Sequence, residues 1–272
     1  WNIAAKRVVG DGYVFVWFYD VLSAIVWLPI ALAVLASQGW PLTWSLLWAP
    51  IVSGVIHIAY QLWLQTGYDR ADLGVVYPLA RGVGPLLTML VAVAFGGEQP
   101  GPAALLGGLV IIAGIVVVAS ARGGERHHSA ADGLKWGALT GAAIAGYTLW
   151  DDLSITHLSL DPVVYFALGT AWQTVLLTPG LERSRRAGAE VAAICRRWWR
   201  EAAVIAVMSP LAYVLVLVAM QSTPVALVAP ARESSIVVGA LLGAWMFKER
   251  GVARKLVGAL VVLAGIALVA SA

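Results

Sequence analysis

The chain is poor in charge and in cysteine. Only 12% of its 272 residues are charged, against roughly 25% in soluble domains, whereas 60% are hydrophobic. The one cysteine, Cys195, excludes a disulfide framework and a zinc site built from several cysteines. This composition excludes an ordinary soluble protein and indicates an integral membrane protein.

Long apolar runs account for most of the sequence. A helix needs roughly 20 apolar residues to cross a bilayer, and runs of this kind lie at about 12–36, 43–66, 71–95, 102–121, 133–151, 162–181, 202–220, 223–247 and 254–271. We interpret the shorter stretch Trp1–Val9 as the end of a first helix whose beginning is missing. Together these segments predict an all-α membrane protein with ten transmembrane helices, the first of them truncated.

The distribution of basic residues predicts the orientation in the membrane. Because successive spans cross the membrane in opposite directions, every second loop lies on the same side. Sixteen of the 18 lysines and arginines lie in the loops of one side, and the loops of the opposite side contain none. Basic loops stay in the cytoplasm by the positive-inside rule, so we expect both termini on the other side of a bacterial inner membrane. The basic run 183–186 is interpreted as a contact for lipid headgroups, and no nucleic-acid partner is expected.

Two arginines lie inside apolar spans. Arg81 and Arg232 each follow an alanine and are 151 residues apart, and the same spacing separates Glu98 from Glu249, Gly107 from Gly258 and Gly114 from Gly265. This spacing indicates an internal duplication into residues 1–121 and 122–272, each a five-helix repeat. Because five is odd, the second repeat enters the membrane in the opposite orientation, as in many secondary transporters. The glycines are expected to permit close helix packing.

The segments Ala71–Ala119 and Thr223–Ala270 share a further pattern. Each joins a helix rich in small residues to a loop glutamate and then to a helix with spaced glycines. In these features the chain resembles the drug/metabolite transporter superfamily, specifically its ten-helix EamA-type members. The resemblance implies a small-molecule carrier, often an exporter, that works by alternating access around a central cavity. An arginine in both the fourth and the ninth helix departs from the common pattern of that family.

Arg81 and Arg232 are the first candidates for substrate binding. A charge at the bilayer centre costs roughly 2.5–3.5 kcal/mol and therefore usually faces a cavity or a partner. A guanidinium can hold a carboxylate, phosphate or phosphonate through two parallel hydrogen bonds, which favours an anionic ligand. The alternative is a structural ion pair with Glu233 or Asp20. These two carboxyls are also candidates for a proton or charge relay.

The residues around both arginines predict disturbed helices. A break is expected on either side of Arg81, and a milder one before Arg232, at Pro78, Gly82, Gly84, Pro85 and Pro230. A broken helix would direct free N–H groups toward the cavity and would again favour an anion. A simple kink that helps helices to pack is the alternative.

Polar and aromatic side chains supply the remaining candidates for substrate contact. His57, Tyr60 and Gln61 share one helical face, and Tyr213 is their approximate counterpart in the second repeat. For His57, a hydrogen bond between helices is the alternative. The candidates for the cavity wall are Trp1, Tyr147 and Trp150, and Tyr77 is a further candidate for substrate contact.

Asp151, Asp152 and His157 form the one cluster that suggests metal chemistry. Adjacent carboxylates point to different helix faces, and the segment falls at the expected end of a span. We therefore interpret these residues as a solvated helix end, and we predict no metal site and no cofactor.

These observations favour a secondary transporter that moves a small anionic or zwitterionic metabolite, amino-acid-like or phosphonate-like, in the export direction. One alternative is an exporter of cationic or drug-like amines that are bound by the acidic residues. An alternative of another class is a membrane-embedded metal-dependent transferase that uses Asp151, Asp152 and His157. The expected partners are a small-molecule substrate, the lipid bilayer and a coupled proton, in a monomer or a homodimer. The sequence leaves the substrate, the coupling ion and the oligomeric state open.

Overall fold

The computed structural model describes residues 12–70, 73–97, 100–119, 130–183, 189–232 and 252–270. All regular structure in these ranges is α-helical. The helices are α1 (Gly12–Ser37), α2 (Trp44–Arg70), α3 (Leu73–Ala94), α4 (Pro102–Ala119), α5 (Ala130–Thr156), α6 (Pro162–Arg183), α7 (Ala189–Met220), α8 (Val225–Arg232) and α9 (Val252–Ala270). Among the residues named from the sequence, Trp1, Glu98, Glu233 and Glu249 lie outside the described ranges.

Three of these helices are long and apolar enough to cross a membrane. They are α1, the part of α2 from Trp44 to Gly67, and the part of α7 from Val191 to Met220. Shorter apolar helical stretches run through Leu79–Ala94 in α3 and Pro102–Val117 in α4. The predicted all-helical membrane protein is thereby supported for the described part of the chain.

Two helices extend well beyond the spans predicted from hydropathy. α5 continues to Thr156, past the expected end at residue 151, and α7 begins at Ala189, before the expected start at residue 202. The early part of α7 is rich in arginine and tryptophan, and the guanidinium of Arg200 lies 5.4 Å from the ring of Trp199. Non-helical backbone angles at Trp198 mark a kink between this part and the apolar part of α7.

The chain forms two compact units. The first unit comprises Trp1–Ile58 and Trp150–Gln221, and the second comprises Ala59–Leu149 and Ser222–Ala272. In the first unit α1 packs against α6 and α7, and in the second unit α3 packs against α4 and α8 while α4 packs against α9. Each unit thus draws on both halves of the sequence, and both α2 and α5 contribute residues to the two units.

In the first unit, side chains of α1 hydrogen-bond to the backbones of the helices that it contacts. The hydroxyl of Tyr13 donates to the carbonyl oxygen of Leu177 at 2.6 Å. Ser23 and Trp27 both donate to the carbonyl oxygen of Ala206, at 3.3 and 3.2 Å. An apolar helix offers few polar groups in lipid, so such bonds define which face of α1 is turned toward its neighbours.

In the second unit, glycines allow α4 and α9 to come close to one another. A Cβ atom added at Gly114 would lie 2.8 Å from the backbone nitrogen of Val262, and one added at Gly265 would lie 2.7 Å from the carbonyl oxygen of Gly107. Backbone atoms cannot move aside as a flexible side chain can. The close packing predicted for these glycines is confirmed.

Gly265→Ala is therefore expected to destabilise the protein by about 1–3 kcal/mol, because α4 and α9 must separate to admit a methyl group. Gly82→Ala is the matched control, since a Cβ there would meet Ile112 at an ordinary 3.6 Å. Thermal unfolding of the two purified variants in mild detergent checks this. Equal melting temperatures for the two variants would contradict the packing described here.

The predicted helix break around Arg81 is wrong. α3 runs as a continuous α-helix from Leu73 to Ala94 through Pro78, Gly82, Gly84 and Pro85. Gly84 instead allows the side chain of Ile144 on α5 to lie close to the backbone of α3, since an added Cβ would lie 2.6 Å from that side chain. α8 likewise stays helical through Pro230 to Arg232. A membrane helix tolerates the hydrogen bond that proline removes when adjacent helices hold the backbone in place.

Candidate functional site

Arg232 lies against an aromatic pair in the second unit. It ends α8, whose residues Val225 and Ala229 are almost fully buried. Its guanidinium carbon lies 5.8 Å from the ring centre of Tyr147, a side chain that is 6% exposed. Tyr60 packs edge-on against Tyr147, with 5.6 Å between the ring centres. The π-face of a ring stabilises a cation by roughly 0.5–2 kcal/mol, less than a carboxylate at the same distance would.

Arg81 belongs to the same unit. It is half-buried on α3, between Ala80, which is 2% exposed, and the buried Gly82. α3 packs directly against α8. The two helices that carry the arginines are therefore neighbours within the second unit. Of the other residues predicted to contact the substrate, Gln61 is half-buried on α2, and Tyr77 lies on α3.

Two buried threonines of α5 lie in the second unit as well. The hydroxyls of Thr140 and Thr148 are buried and have no hydrogen-bond partner within the described residues, and both side chains are 0% exposed. They are two helical turns apart and so share one face of α5. Since a buried hydroxyl normally finds a partner, they are additional candidates for contact with a polar ligand. Threonine is frequent in membrane helices, so no sequence signal distinguished these two.

In the first unit, Asp151 accepts hydrogen bonds from three other side chains. Its side chain is 0% exposed. Its Oδ1 accepts hydrogen bonds from Ser53 Oγ and from the hydroxyl of Tyr165, both at 2.6 Å, and its Oδ2 accepts one from the hydroxyl of Tyr213 at 2.5 Å. Four helices, α2, α5, α6 and α7, thus meet at one carboxyl group.

His57 adjoins this cluster through Ser53. Its Nδ1 lies 3.3 Å from Ser53 Oγ and 3.0 Å from the carbonyl oxygen of Ser53. Its ring also packs edge-on against Tyr213, with 5.6 Å between the ring centres. Two residues predicted as substrate contacts, His57 and Tyr213, are therefore brought together around a carboxyl that the sequence did not single out for this role.

Aromatic side chains surround the carboxyl cluster. Trp150 donates from its indole N–H to the carbonyl oxygen of Ala49 at 3.0 Å, and it packs against Trp48 with 5.4 Å between the ring centres. Phe166 packs against Tyr213 at 6.0 Å. Trp150, predicted as a cavity wall, thus joins α5 to α2 in the first unit.

The interpretation of Asp151, Asp152 and His157 as a solvated helix end is wrong for Asp151. Because α5 continues to Thr156, Asp151 lies inside a helix and is buried, whereas Asp152 is half-buried and His157 is exposed. His157 Nδ1 lies 2.9 Å from the hydroxyl of Thr156. No three His, Cys, Asp or Glu side chains in the described ranges are close enough to hold a metal ion. The three residues therefore do not form one site.

Asp20 on α1 is a second buried acid among the described residues of the first unit. It is 4% exposed, and its Oδ2 has no hydrogen-bond partner within the described part of the chain. A buried carboxylate oxygen without a donor is costly. Asp20 therefore differs from Asp151, which has three donors.

Apolar helices that carry half-buried arginines together with buried aspartate and hydroxyl groups indicate a multi-pass membrane protein. Residues 132–271 match the model of the EamA-like transporter family. As this match covers more than half of the chain, the protein belongs to that family, and the resemblance to the drug/metabolite transporter superfamily is confirmed.

A solved structure supports the fold independently. A crystal structure of a protein superposes with a TM-score of 0.75 over 98% of this chain and 90% of the other, at 17% sequence identity. At that identity the similarity concerns the fold alone. A comparison with curated proteins finds no significant match.

Proposed function

We propose that the protein is a secondary transporter that moves a small anionic or zwitterionic metabolite, amino-acid-like or phosphonate-like, out of the cell by alternating access. The observation that carries this proposal is the position of Arg232. Its guanidinium lies over a buried tyrosine ring, on a helix that packs against the helix of Arg81.

The charge argument favours an anion. A guanidinium inside apolar helices is retained only where it faces a partner or a cavity. Its planar fork matches the two oxygens of a carboxylate or phosphonate. The contact between Arg232 and the ring of Tyr147 is worth roughly 0.5–2 kcal/mol, whereas charge-assisted hydrogen bonds to an anion are stronger.

The buried threonines support a small polar ligand. Thr140 and Thr148 have hydroxyls that lack hydrogen-bond partners within the described residues. A carboxylate or phosphonate has more acceptor positions than one guanidinium fills. In this proposal Arg232 and Arg81 supply the charge, and the two hydroxyls add hydrogen bonds from α5.

The membrane arrangement is part of the same proposal. Two inverted five-helix repeats, 1–121 and 122–272, alternate their access around the substrate. The basic loops lie in the cytoplasm and both termini outside it, in a bacterial inner membrane, because nearly all the lysines and arginines fall on one side of the predicted spans. The transporter works as a monomer or a homodimer.

Ligand-dependent thermal stability tests the charge preference. Matched sets of an amino acid, the corresponding 2-hydroxy acid and the corresponding amino acid amide present a zwitterion, an anion and a cation on one carbon skeleton. We expect the first two to raise the Tm of the purified protein and the amide to have no effect. A ligand at 100 times its Kd stabilises by about 2.7 kcal/mol. Stabilisation by the amides alone would contradict the proposal.

A second candidate function is the export of cationic or drug-like amines. It is favoured by the buried Asp20, whose Oδ2 lacks a donor within the described residues. An ammonium group would supply that donor. The same ligand series separates the two functions, since the amine exporter predicts stabilisation by amides that is lost in Asp20→Asn.

A further inference from the structure

We propose that Asp151 is the proton-binding site of this protein and that its proton is delivered through Ser53 and His57. The proposal rests on the transport function proposed above, because it supplies the ion that drives the transport. Asp20 and Glu233 were the acids singled out from the sequence for this role. The hydrogen bonds of the first unit point instead to Asp151.

The first argument is the chemistry of its partners. Within the described residues, the three groups bonded to Asp151 are the hydroxyls of Ser53, Tyr165 and Tyr213. An ionised carboxylate only accepts hydrogen bonds, so three donors match it. A hydroxyl can also accept, and it rotates about one bond. When Asp151 takes up a proton, a hydroxyl can therefore turn and accept from it without any movement of the backbone.

An arginine or lysine at this position would hold the carboxylate in its charged form. The bonded groups of Asp151 are neutral hydroxyls on three other helices, and the titratable groups that face it are Tyr165 on α6, Tyr213 on α7 and, through Ser53, His57 on α2. On α5 itself the neighbouring Asp152 is half-buried. α1 packs against α6 and α7 and carries Asp20, which is not bonded to Asp151. Because these hydroxyls are neutral, they do not hold Asp151 in one charge state, as a group that binds and releases a proton requires.

The second argument is the proton path. Ser53 Oγ donates to Asp151 Oδ1 at 2.6 Å and lies 3.3 Å from His57 Nδ1. In the transfer, a doubly protonated His57 gives its Nδ1 proton to Ser53 Oγ while Ser53 passes its own hydroxyl proton to Asp151. The histidine keeps its Nε2 proton and becomes neutral, and the serine is regenerated. No proton is lost or gained overall.

The third argument concerns the mechanical consequence. Asp151 is the acceptor for hydroxyls on α2, α6 and α7. Hydrogen bonds to a charged acceptor are roughly twice as strong as those between neutral groups. Proton binding therefore weakens three contacts between helices at once. A ligand shifts a conformational equilibrium by its differential affinity for two states, and the proton acts here as such a ligand on the packing of four helices.

Infrared difference spectroscopy on the purified protein tests the proton site without any substrate. Acidification of the wild-type protein is expected to produce the C=O stretch of a buried protonated carboxyl, and Asp151→Asn is expected to abolish it. Asp152→Asn is the matched control on the same helix and should keep the band. A band that persists in Asp151→Asn, or that disappears in Asp20→Asn instead, would overturn the proposal.

A second variant keeps the test decisive if Asp151→Asn fails to fold. Tyr213→Phe removes the hydroxyl that donates to Oδ2 of Asp151 within the described residues. The carboxylate then loses one stabilising hydrogen bond, so the band of the protonated carboxyl is expected to be stronger than in the wild type under the same conditions. A band of unchanged strength would contradict the assignment. Loss of the band on replacing choline chloride by sodium chloride at constant pH would contradict it too, because the site would then bind a metal cation.

The infrared experiment can fail while the proposed function holds, and the proposed function can fail while the proton site holds. The band reports on Asp151 alone, whereas the thermal-shift series reports on the ligand charge. A pH-dependent Asp151 band without stabilisation by any carboxylate ligand would remove the proposed substrate class and leave the proton site. Stabilisation by carboxylate ligands without the band would remove the proton site and leave the substrate class.

Discussion

Arg232→Ala is expected to abolish transport of the substrate while the protein still folds. The variant removes the guanidinium that lies over Tyr147. Loss of a charge-assisted, two-pronged contact should weaken binding of an anionic ligand by about 10- to 100-fold. Arg81→Ala should have a similar effect, because α3 and α8 are neighbours in the second unit. Flux into proteoliposomes and ligand-induced Tm shifts measure the two effects.

Two further variants make this prediction specific to the guanidinium. Arg232→Lys keeps the charge but loses the planar fork, so an intermediate loss is expected. Arg200 is exposed and lies beside Trp199, and Arg200→Ala should transport like the wild type. Near-normal flux in both Arg81→Ala and Arg232→Ala would show that the arginines have a structural role only.

Asp151→Ala is expected to lower the free energy of unfolding by about 3 kcal/mol or more. The alanine leaves three hydroxyl donors, two of them on buried side chains, without their acceptor. A buried polar group without a partner costs roughly 1–3 kcal/mol. Thermal or denaturant unfolding in mild detergent, followed by tryptophan fluorescence, measures the loss.

The control for this prediction is Asp152→Ala, since Asp152 is half-buried at the next position of α5. We expect it to cost much less stability. Adding Tyr165→Phe to Asp151→Ala should recover part of the loss, because it removes a hydroxyl that has lost its carboxylate acceptor. Equal stability of Asp151→Ala and Asp152→Ala would mean that the hydroxyl bonds contribute little.

Much of the fold follows from hydropathy. Membrane helices must satisfy their backbone hydrogen bonds internally and must be apolar over their length, so the predicted spans fall close to α1, α2, α4 and α6. Helix ends are less well predicted where polar residues continue a helix. α5 was expected to stop at residue 151, but Asp151 and Asp152 are accommodated inside it.

The carboxyl cluster could not be predicted for a related reason. Tyr165 carries no local signal, since its role comes from the approach of α6 to Asp151. A hydropathy profile places the end of a membrane helix at an aspartate. In this protein, hydrogen bonds from three hydroxyls offset the cost of burying Asp151, so the helix continues past it. One available signal was the spacing of Ser53 and His57, four residues apart and therefore on one helical face.

The helix break predicted around Arg81 failed because α3 stays continuous through its prolines and glycines while it packs against neighbouring helices. In α3 a glycine is needed at position 84 because the side chain of Ile144 leaves no room for a Cβ atom there. In contrast, the glycines of α4 and α9 were interpreted by packing from the beginning, and that prediction is confirmed. The sequence alone does not distinguish the two uses, because both produce small residues at similar spacings.

Counterflow in proteoliposomes tests the central claim most directly. Vesicles that contain the purified chain are loaded with an unlabelled ligand that raised the Tm, and entry of the labelled ligand is followed. The proposed function predicts saturable entry that amino acids and 2-hydroxy acids inhibit, that amino acid amides do not inhibit, and that is absent in Arg232→Ala. Entry that the amides alone inhibit, with Arg232→Ala fully active, would contradict it.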